Sequence, residues 1–522
     1  MLDFIKRILS HRLLSAAGAA VGATGFRDWG GRERSRRGRM ALGRGAELAN
    51  AGKYLAASAA FLAAIELAPE SAEAYHGHGV CQHGLGNFEA ARDSFRKASD
   101  RAPLRDDIRN RLGLALRKLS HLESTTECFK RALVLKPASG EALNNLADVL
   151  QARDQEVAAF VGFERALTVM PGSAGVHSNL GGAYRDAGRL GEAGESFARA
   201  LALDPSHAGA NFSRGTLALL QGDFATGWAG YEWRSRADGF NPSANYAASQ
   251  WQGEDIAGRS IYVHSEQGLG DVLQFVRYIP ALAARCDRVV LRVPEALRRT
   301  VAELSSHATI ISGNEPVPRC DVHSPLLSLP QAFKTDAPSI PTPGPYLHAE
   351  EGPREKWRAM LASPHALRIG LIWAAGARSS TSSRRSIDLA SLAPMLANKR
   401  VRWVSLQLPP QSGDATGLPA DTFLDLSALQ PNMAETAAII MELDLVITVD
   451  TSIAHLAGAL GRPVWVMLPH VPDWRWQLGR SDSPWYQSMR LFRQAETGDW
   501  ESVATALRAA LDEQLGEREA TV

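Results

Sequence analysis

Small, aromatic and alanine positions recur through the first half of the chain at intervals of 34 residues. A small residue lets one helix approach the next, and an aromatic side chain fills the gap below it. Proline ends a helix because it cannot continue the hydrogen-bond ladder. The pattern predicts paired helices over residues 38–241, an α-solenoid whose neighbouring pairs bury each other's apolar faces. The columns are Gly45, Gly79, Gly113, Ala147, Gly181 and Gly215; Phe61, Phe95, Phe129, Phe163, Phe197 and Tyr231; Ala64, Ala98, Ala132, Ala166 and Ala200; and Pro69, Pro103, Pro137, Pro171 and Pro205.

This period and these columns resemble the tetratricopeptide repeat. The resemblance implies a protein or peptide partner, held on the face that the first helix of each pair lines. Asparagine can grip extended backbone through its donor and acceptor groups, although the same positions also suit solvated polar side chains. The candidate partner-binding residues are Tyr75, Asn110, Asn144, Asn145, Asn179 and Asn211.

The sixth unit departs from the repeat after Tyr231, because Arg234 stands where the other units have alanine. Residues 222–234 also carry several large aromatic side chains. We interpret this unit as a capping repeat that docks onto the second half of the chain, with residues 242–255 as a linker.

In the second half, short β-rich runs alternate with helical stretches, which is typical of parallel sheets with crossover helices. The proline-rich stretch Pro338–Pro353 separates these runs into two groups. We predict two Rossmann-like lobes at 256–345 and 366–512, joined by a linker at 346–365 and followed by a tail at 513–522. The predicted strands are Ser260–His264, Arg288–Val293, Thr309–Ile311, Arg368–Trp373, Val401–Leu406, Asp444–Val449 and Pro463–Leu468.

Residues 1–37 form a basic segment ahead of the repeats, and we predict that it is poorly ordered. Its apolar stretch, Leu13–Ala23, is too short to cross a membrane as a helix. Two interpretations stay open: a weak signal peptide, or an amphipathic helix followed by the basic tail Arg32–Arg39. No later segment is apolar enough to span a bilayer, so we expect no transmembrane segment.

The composition of the chain says more about which kinds of partner it binds than about its fold. The chain is 45% hydrophobic and 22% charged with a net charge of +1, so its overall charge favours neither nucleic acid nor an anionic membrane. Its four cysteines are scattered and form no C-x-x-C motif, which argues against a zinc site or a disulfide framework. We expect a reducing compartment, the cytoplasm.

Each predicted lobe has one unusual loop between a strand and a helix. In the first lobe, Gly268-Leu-Gly-Asp271 is a glycine-rich turn, and in the second, Asp450-Thr-Ser-Ile-Ala-His455 directly follows an apolar strand. Ligands of open α/β sheets bind beyond the carboxyl ends of the strands. The free N–H groups at a helix start suit a diphosphate.

With the Arg385-Ser386 pair of the second lobe, these loops resemble the heptosyltransferase-type glycosyltransferases of GT-B fold. The whole chain resembles bacterial proteins that join tetratricopeptide repeats to such a domain. That likeness rests on the aromatic junction at 222–234, the Glu-Gln-Gly-Leu-Gly-Asp loop at 266–271 and the Pro-Asp-Trp-Arg-Trp segment at 472–476. A more distant likeness, in layout alone, is to O-GlcNAc transferases.

The resemblance implies that Asp271 is the catalytic base, which takes the proton from an acceptor hydroxyl as the sugar is displaced. A helix cap is the alternative role for an aspartate at a helix start. Gly268 and Gly270 would supply backbone freedom for the turn and close approach to the substrate.

The resemblance places the nucleotide-sugar site in the second lobe. Thr451 and Ser452 would offer amide and hydroxyl groups to the diphosphate, and Asp450 would hold a sugar hydroxyl or cap the helix. His455 would donate a hydrogen bond to the ligand, or else pack in the core.

A second part of the donor site is expected at Arg384, Arg385 and Ser386. A fixed cation there would offset charge on the departing diphosphate in place of a metal, so we expect no metal and no cofactor beyond the nucleotide-sugar substrate. Gln407 would contact the base or sugar, or form a strand-end hydrogen bond. The sequence departs from its relatives at 374–383, where Gly-Asn-Pro and Asn-Asp would be expected.

These features predict an inverting, metal-independent glycosyltransferase that moves a sugar from a nucleotide-sugar donor to an acceptor, a protein or peptide held by the repeats. The alternative is a non-catalytic scaffold with a degenerate glycosyltransferase domain, which the altered segment 374–383 favours. The aromatic loops 473–476 and 485–486 would either stack on a ligand or pack the lobes together.

Overall fold

The computed structural model describes residues 26–237, 246, 248–341, 344–362, 367–376, 383–409, 411–415, 418–430 and 432–521. Both interpretations of residues 1–25 therefore fall outside the described residues, as does most of the altered segment 374–383. The chain divides into two compact units, the first ending at Val169 and the second beginning at Met170.

The first unit is a series of helix pairs. An added Cβ at Gly79 would lie 2.7 Å from the ring of Phe95, and at Gly113 it would lie 2.5 Å from the ring of Phe129, so the small and aromatic columns pack as predicted. The first helix begins at Phe26, inside the segment 1–37 that the sequence predicts to be poorly ordered. Helices α1–α8 span Phe26–Asn50, Tyr54–Leu67, Ala72–Gly84, Phe88–Arg101, Asp106–Lys118, Leu122–Leu135, Gly140–Ala152 and Glu156–Val169.

The second unit opens with two more helix pairs, so the compact units divide inside the repeats and not at their end. In the first of these pairs, Gly181 faces the ring of Phe197 as in the earlier repeats. In the second pair the glycine column meets backbone, since a Cβ at Gly215 would lie 2.6 Å from the Cα of Gly230. Helices α9–α12 span Ala174–Asp186, Leu190–Leu203, Ala208–Leu220 and Phe224–Tyr231.

Replacing Gly215 with alanine is expected to destabilise the second unit by about 3 kcal/mol, because the new methyl group meets rigid backbone and not a movable side chain. The matched control is Gly182→Ala, whose added Cβ would have no neighbour within 4 Å and which should stabilise the helix by up to about 1 kcal/mol. Urea unfolding followed by tryptophan fluorescence measures both, because Trp29 is the only tryptophan before Met170. Equal stability of the two variants would contradict the packing of α11 against α12.

Beyond the repeats lie two fully parallel sheets. The first has five strands in the order β1-β5-β2-β3-β4 and the second has six in the order β11-β10-β9-β6-β7-β8. The predicted fold class, a tetratricopeptide solenoid followed by two Rossmann-like lobes, is confirmed. Strands β1–β11 span Ser249–Gln250, Ile256–His264, Cys286–Val293, Thr309–Ser312, Val322–Pro325, Leu367–Ile372, Val401–Ser405, Phe423–Asp425, Leu445–Val449, Val464–Leu468 and Met489–Arg493.

The helices of the second half connect the strands and join the lobes. The segment predicted as an interlobe linker contains the helix Glu351–Met360, whose Trp357 is buried. No helix of the described residues combines the length and apolar character needed to cross a membrane. Helices α13–α20 span Leu269–Phe275, Ile279–Ala283, Leu329–Ala332, Glu351–Met360, Ala393–Leu396, Met433–Met441, Ser452–Ala459 and Trp500–Thr521.

One hydrophobic core runs through the second unit, from Leu219 in the repeats to Leu515 in the last helix. The sixth helix pair contributes Trp228, whose indole N–H donates to the carbonyl of Thr335 at 2.8 Å. Arg234, at the alanine position of the repeat, is buried and donates to Glu266 at 2.6 Å. The sixth pair is therefore built into the same core as the two sheets.

Candidate functional site

The glycine-rich loop of the first lobe leads directly into α13 and meets the start of α19. A Cβ on Gly270 would lie 2.9 Å from Cδ2 of His455 and 3.3 Å from the Cα of Ser452. The loop therefore needs a glycine for close approach to the second lobe. Gly268, by contrast, has an ordinary extended conformation (φ −71°, ψ 168°), so the expected backbone freedom is not required there.

Asp271 lies in the first turn of α13, and its Oδ2 accepts a hydrogen bond from the backbone N–H of Gly268 at 2.8 Å. This is the capping role that the sequence left as the alternative. Its Oδ1 forms an ion pair with Nη2 of Arg475 from the second lobe. Burial raises the pKa of Asp271, although the Arg475 guanidinium opposes that rise.

Arg475 holds three groups at once at the contact between the lobes. Besides Asp271, its Nη1 lies 2.8 Å from Oδ1 of Asp473, and its Nε donates to Oε1 of Gln274 at 2.7 Å. Burial alone would raise the pKa of Asp473, but the adjacent Arg475 lowers it below its usual value. With only 9% of its side chain exposed, Arg475 is a buried cation shared by two carboxylates.

The start of α19 lacks the usual side-chain cap. Thr451 has the extended conformation of a cap residue (φ −140°, ψ 171°), yet its side chain forms no hydrogen bond to the first amides of the helix. The Thr451 hydroxyl lies instead 3.2 Å from the hydroxyl of Thr448. Thr451 and Ser452 thus stand at a helix start that can receive an anion.

His455 is enclosed by aromatic side chains. Its Nδ1 lies 3.0 Å from the hydroxyl of Tyr486, and its ring stacks on Trp476 with 5.4 Å between centroids. Burial, helped by the charge of Arg475, lowers the pKa of His455 to about 3, so the imidazole is neutral at physiological pH. These contacts match the core role left open for His455 and give no sign of a charged ligand donor.

The three residues of the predicted arginine segment have different partners. Arg385 Nη1 lies 3.3 Å from the carbonyl and 3.5 Å from the carboxylate of Asp450. Arg384 instead pairs with Asp186 of the fifth repeat, and the Ser386 hydroxyl accepts from the N–H of Ala375 at 3.0 Å.

Arg385 approaches Asp450 at the carboxyl end of β9, next to the start of α19. Burial and the nearby Asp473 carboxylate raise the pKa of Asp450, while Arg385 opposes that rise. Among the described residues, Nε of Arg385 is buried without a hydrogen-bond partner. A fixed cation with a spare donor therefore lies beside the helix start.

Gln407, which was expected to contact the base or sugar, forms its hydrogen bonds within the second lobe. Its Oε1 accepts from the N–H groups of Trp373 at 3.2 Å and Ala374 at 2.9 Å. This is the strand-end hydrogen bond that the sequence left as the alternative, and it orders the start of the loop that follows β6.

Several of the expected partner-binding residues are engaged within the repeats. Asn110 is buried and accepts from Nδ2 of Asn145 at 3.0 Å, so this pair links two helices of the first unit. Asn211 donates to the carbonyl of Pro205 at 3.0 Å, a local contact at its own helix start. The Tyr75 ring lies under the guanidinium of Arg101 at 4.4 Å, and Asn144 and Asn179 are half-buried.

The sequence assigned no role to Gln274, and it named Arg475 and Tyr486 only as members of aromatic loops that stack on a ligand or pack the lobes together. The structure makes all three central to the contact between the lobes. The available signal was the Asp-x-Arg spacing of Asp473 and Arg475 inside a tryptophan-rich loop. A charged residue among large aromatics is bound to be buried, and a buried charge has to be paired.

Comparison with known proteins fits this architecture. The tetratricopeptide repeat model matches residues 42–106, 82–124 and 178–227, and the model for glycosyltransferase family 9 (heptosyltransferase) matches residues 428–468. The chain joins tetratricopeptide repeats to a heptosyltransferase-like domain. The matched part of this heptosyltransferase-like domain contains Asp450, Thr451, Ser452 and His455, whereas Asp271 and Arg475 lie outside it.

Protein FlbA of Caulobacter vibrioides is a relative, 26% identical over 326 residues. The match covers 57% of this chain and 54% of FlbA, so the chain spans about half the length of that relative. Among solved structures, Pseudomonas aeruginosa PilF has a TM-score of 0.34 with 18% identity and covers 39% of this chain and 93% of its own. The Thermus thermophilus protein TTC0263 has a TM-score of 0.32 with 22% identity and covers 35% and 99%.

Proposed function

We propose that the chain is a glycosyltransferase that moves a sugar from a nucleotide-sugar donor to an acceptor, a protein or peptide held by the repeats. The observation that carries the proposal is the pairing of the uncapped start of α19 with Arg385. Two features that favour an anion, a helix start that the Thr451 side chain leaves uncapped and a fixed guanidinium, meet at the carboxyl edge of a parallel sheet.

In this proposal the donor diphosphate sits at Thr451 and Ser452, and Arg385 offsets the negative charge that grows on it as the glycosidic C–O bond breaks. The acceptor oxygen forms the new bond to the anomeric carbon from the opposite side, which inverts its configuration. No metal takes part in this scheme. Because the four cysteines of the chain are all free, a reducing compartment, the cytoplasm, is the proposed site of action.

Asp271 is the proposed base for the acceptor hydroxyl. Its carboxylate is already oriented by the N–H of Gly268, so only the contact with Arg475 has to loosen for the hydroxyl to take its place. The proton then moves from the acceptor to Oδ1 while the sugar is transferred. The proposed peptide-binding residues of the repeats are Tyr75, Asn144 and Asn179.

Among UDP-, ADP- and GDP-sugars, we expect one nucleotide class to raise the melting temperature of the full chain. Replacing Arg385 with alanine should weaken that nucleotide about tenfold, the range expected for a lost charge-assisted contact. Thermal shift followed by calorimetric titration measures both. The matched control is Arg402→Ala, a half-buried arginine of β7 whose Nη1 donates to the carbonyl of Ala420. The absence of any shift across the panel would remove the support for a nucleotide-sugar site.

The second candidate is a non-catalytic scaffold that keeps the transferase fold. It is favoured by one specific observation, since both oxygens of Asp271 already have partners within the protein. A chain that binds nucleotide but neither hydrolyses nor transfers any sugar would support this candidate over the enzyme.

A further inference from the structure

Among the residues that the structure describes, three contacts fix the short turn that carries the two arginines of the donor site. Arg385 reaches Asp450 at the end of β9, and Ser386 reaches Ala375 beyond the end of β6. The third point is Arg384, whose Nη1 lies 3.1 Å from Oδ2 of Asp186. Two of the three anchors are thus inside the second lobe, and the third belongs to a tetratricopeptide repeat.

Asp186 is the last residue of α9, and the turn after it also touches the second lobe. A Cβ on Gly188 would lie 3.4 Å from the ring of His470 and 3.6 Å from Val471. The turn after α11 makes a similar approach, since a Cβ on Gly222 would lie 3.6 Å from Nε2 of Gln477. Two repeat turns therefore bracket the loop 470–477.

That loop carries Arg475, which pairs with Asp271 of the first lobe, and Asp473, which pairs with Arg475. The fifth and sixth repeats consequently contact both polar segments of the candidate site, the arginine turn and the Asp473–Arg475 loop. Of these contacts, the one between Asp186 and Arg384 is an ion pair. The Asp186 side chain is 22% exposed. Partial burial keeps such a pair stronger than a freely solvated one.

We propose that Asp186 is a positioning residue for the donor site: by holding Arg384 it fixes the turn that aims Arg385 at the diphosphate. The inference rests on the proposed function, because it takes the nucleotide diphosphate as the ligand of Arg385. In this proposal Arg384 binds the repeats through Asp186, whereas the sequence had placed Arg384 in the donor site. The repeats are then part of the nucleotide-sugar site as well as a holder of the acceptor.

The test uses the full chain with Asp186→Ala, titrated with whichever of UDP, ADP and GDP binds the wild type most tightly. We expect the affinity to fall about fivefold, because one of the three anchors of the turn is lost. Hydrogen exchange of the backbone amides of residues 383–388 should accelerate in the same variant without nucleotide, which reports loosening of the turn directly.

A charge swap separates positioning from general destabilisation. Asp186→Arg combined with Arg384→Asp restores the ion pair in reverse, and it should bring both affinity and exchange back to within twofold of wild type. Arg185→Ala removes the other arginine on Asp186, 2.8 Å away, and should leave the affinity unchanged. Asp148→Ala breaks an ion pair of the same 3.1 Å length inside the first unit, with Arg117, and should also have no effect.

Unchanged exchange at residues 383–388 in Asp186→Ala, or a charge swap as impaired as the single variant, would overturn the inference. If the exchange accelerates but no nucleotide binds the wild type, the positioning of the turn stands and the proposed function fails. If nucleotide binds with equal affinity to wild type and Asp186→Ala, the proposed function stands and the role of Asp186 in the donor site fails.

Discussion

Replacing Asp271 with asparagine should reduce sugar transfer by about 10²–10⁴-fold, the usual contribution of a general base, while donor affinity stays within twofold of wild type. Asparagine has nearly the same shape and can still accept the hydrogen bond from Gly268. It cannot take a proton from the acceptor hydroxyl. The measurement is the initial rate of transfer with the donor identified by thermal shift, together with calorimetric titration of the same donor.

The control for this variant is Asp388→Asn, because Asp388 also caps a helical turn, accepting from the N–H of Ala390 at 3.0 Å. That substitution should leave transfer unchanged. If Asp271→Asn keeps more than a tenth of the wild-type rate, Asp271 is a helix cap and an ion-pair partner of Arg475, and another group must remove the acceptor proton.

The repeats were predictable from sequence because each position that recurs every 34 residues has the same packing role in every helix pair. Gly79 and Gly113 meet the aromatic rings that the pattern assigned to them. The start of α1 was missed because residues 26–37 are basic and lie outside the first column. The division of the chain at Val169 was also not predictable, since it depends on which repeats join the core of the lobes.

Most of the strands were also predictable from the sequence, and those that were not have identifiable physical reasons. Apolar runs such as Leu445–Val449 were located to within a residue because both faces of a central parallel strand are buried. Strands β1, β5 and β8 were missed because they are short, and Val322–Pro325 includes a histidine and a serine. The strand Met489–Arg493 lies at the edge of its sheet and contains Arg490 and Arg493, so its hydrophobic pattern is weak.

The candidate site was predicted only in part, since sequence finds motifs and not their partners. It located the two loops that meet at Gly270, and it flagged the loop 473–476 for its aromatics. It could not show that Arg475 crosses to Asp271, nor that Arg384 turns to the repeats. Both pairs join residues about 200 positions apart, and no local pattern reports such contacts.

Arg475 is the shared cation of a buried ion-pair network, so its loss should reduce stability. Arg475→Ala should destabilise the second unit by about 3–5 kcal/mol, because it leaves Asp271 and Asp473 buried without a counter-charge. Urea unfolding followed by tryptophan fluorescence measures the loss. The control is Arg480→Ala, which breaks a pair with the exposed Asp482 and should cost no more than about 1 kcal/mol.

The pH dependence of Arg475→Ala identifies the cause of the loss. Without the guanidinium, burial raises the folded-state pKa of Asp271 further above its unfolded value, and the pKa of Asp473 also rises above its unfolded value. The folded state then binds more protons than the unfolded state above about pH 4, so the deficit should shrink as the pH falls from 7 towards 5. Adding Asp271→Asn and Asp473→Asn to Arg475→Ala should likewise recover more than half of the lost free energy of unfolding, because neutral amides replace the unpaired carboxylates. A deficit that does not change with pH would mean that Arg475 acts by packing on Trp474, 4.3 Å from its guanidinium, and not through charge.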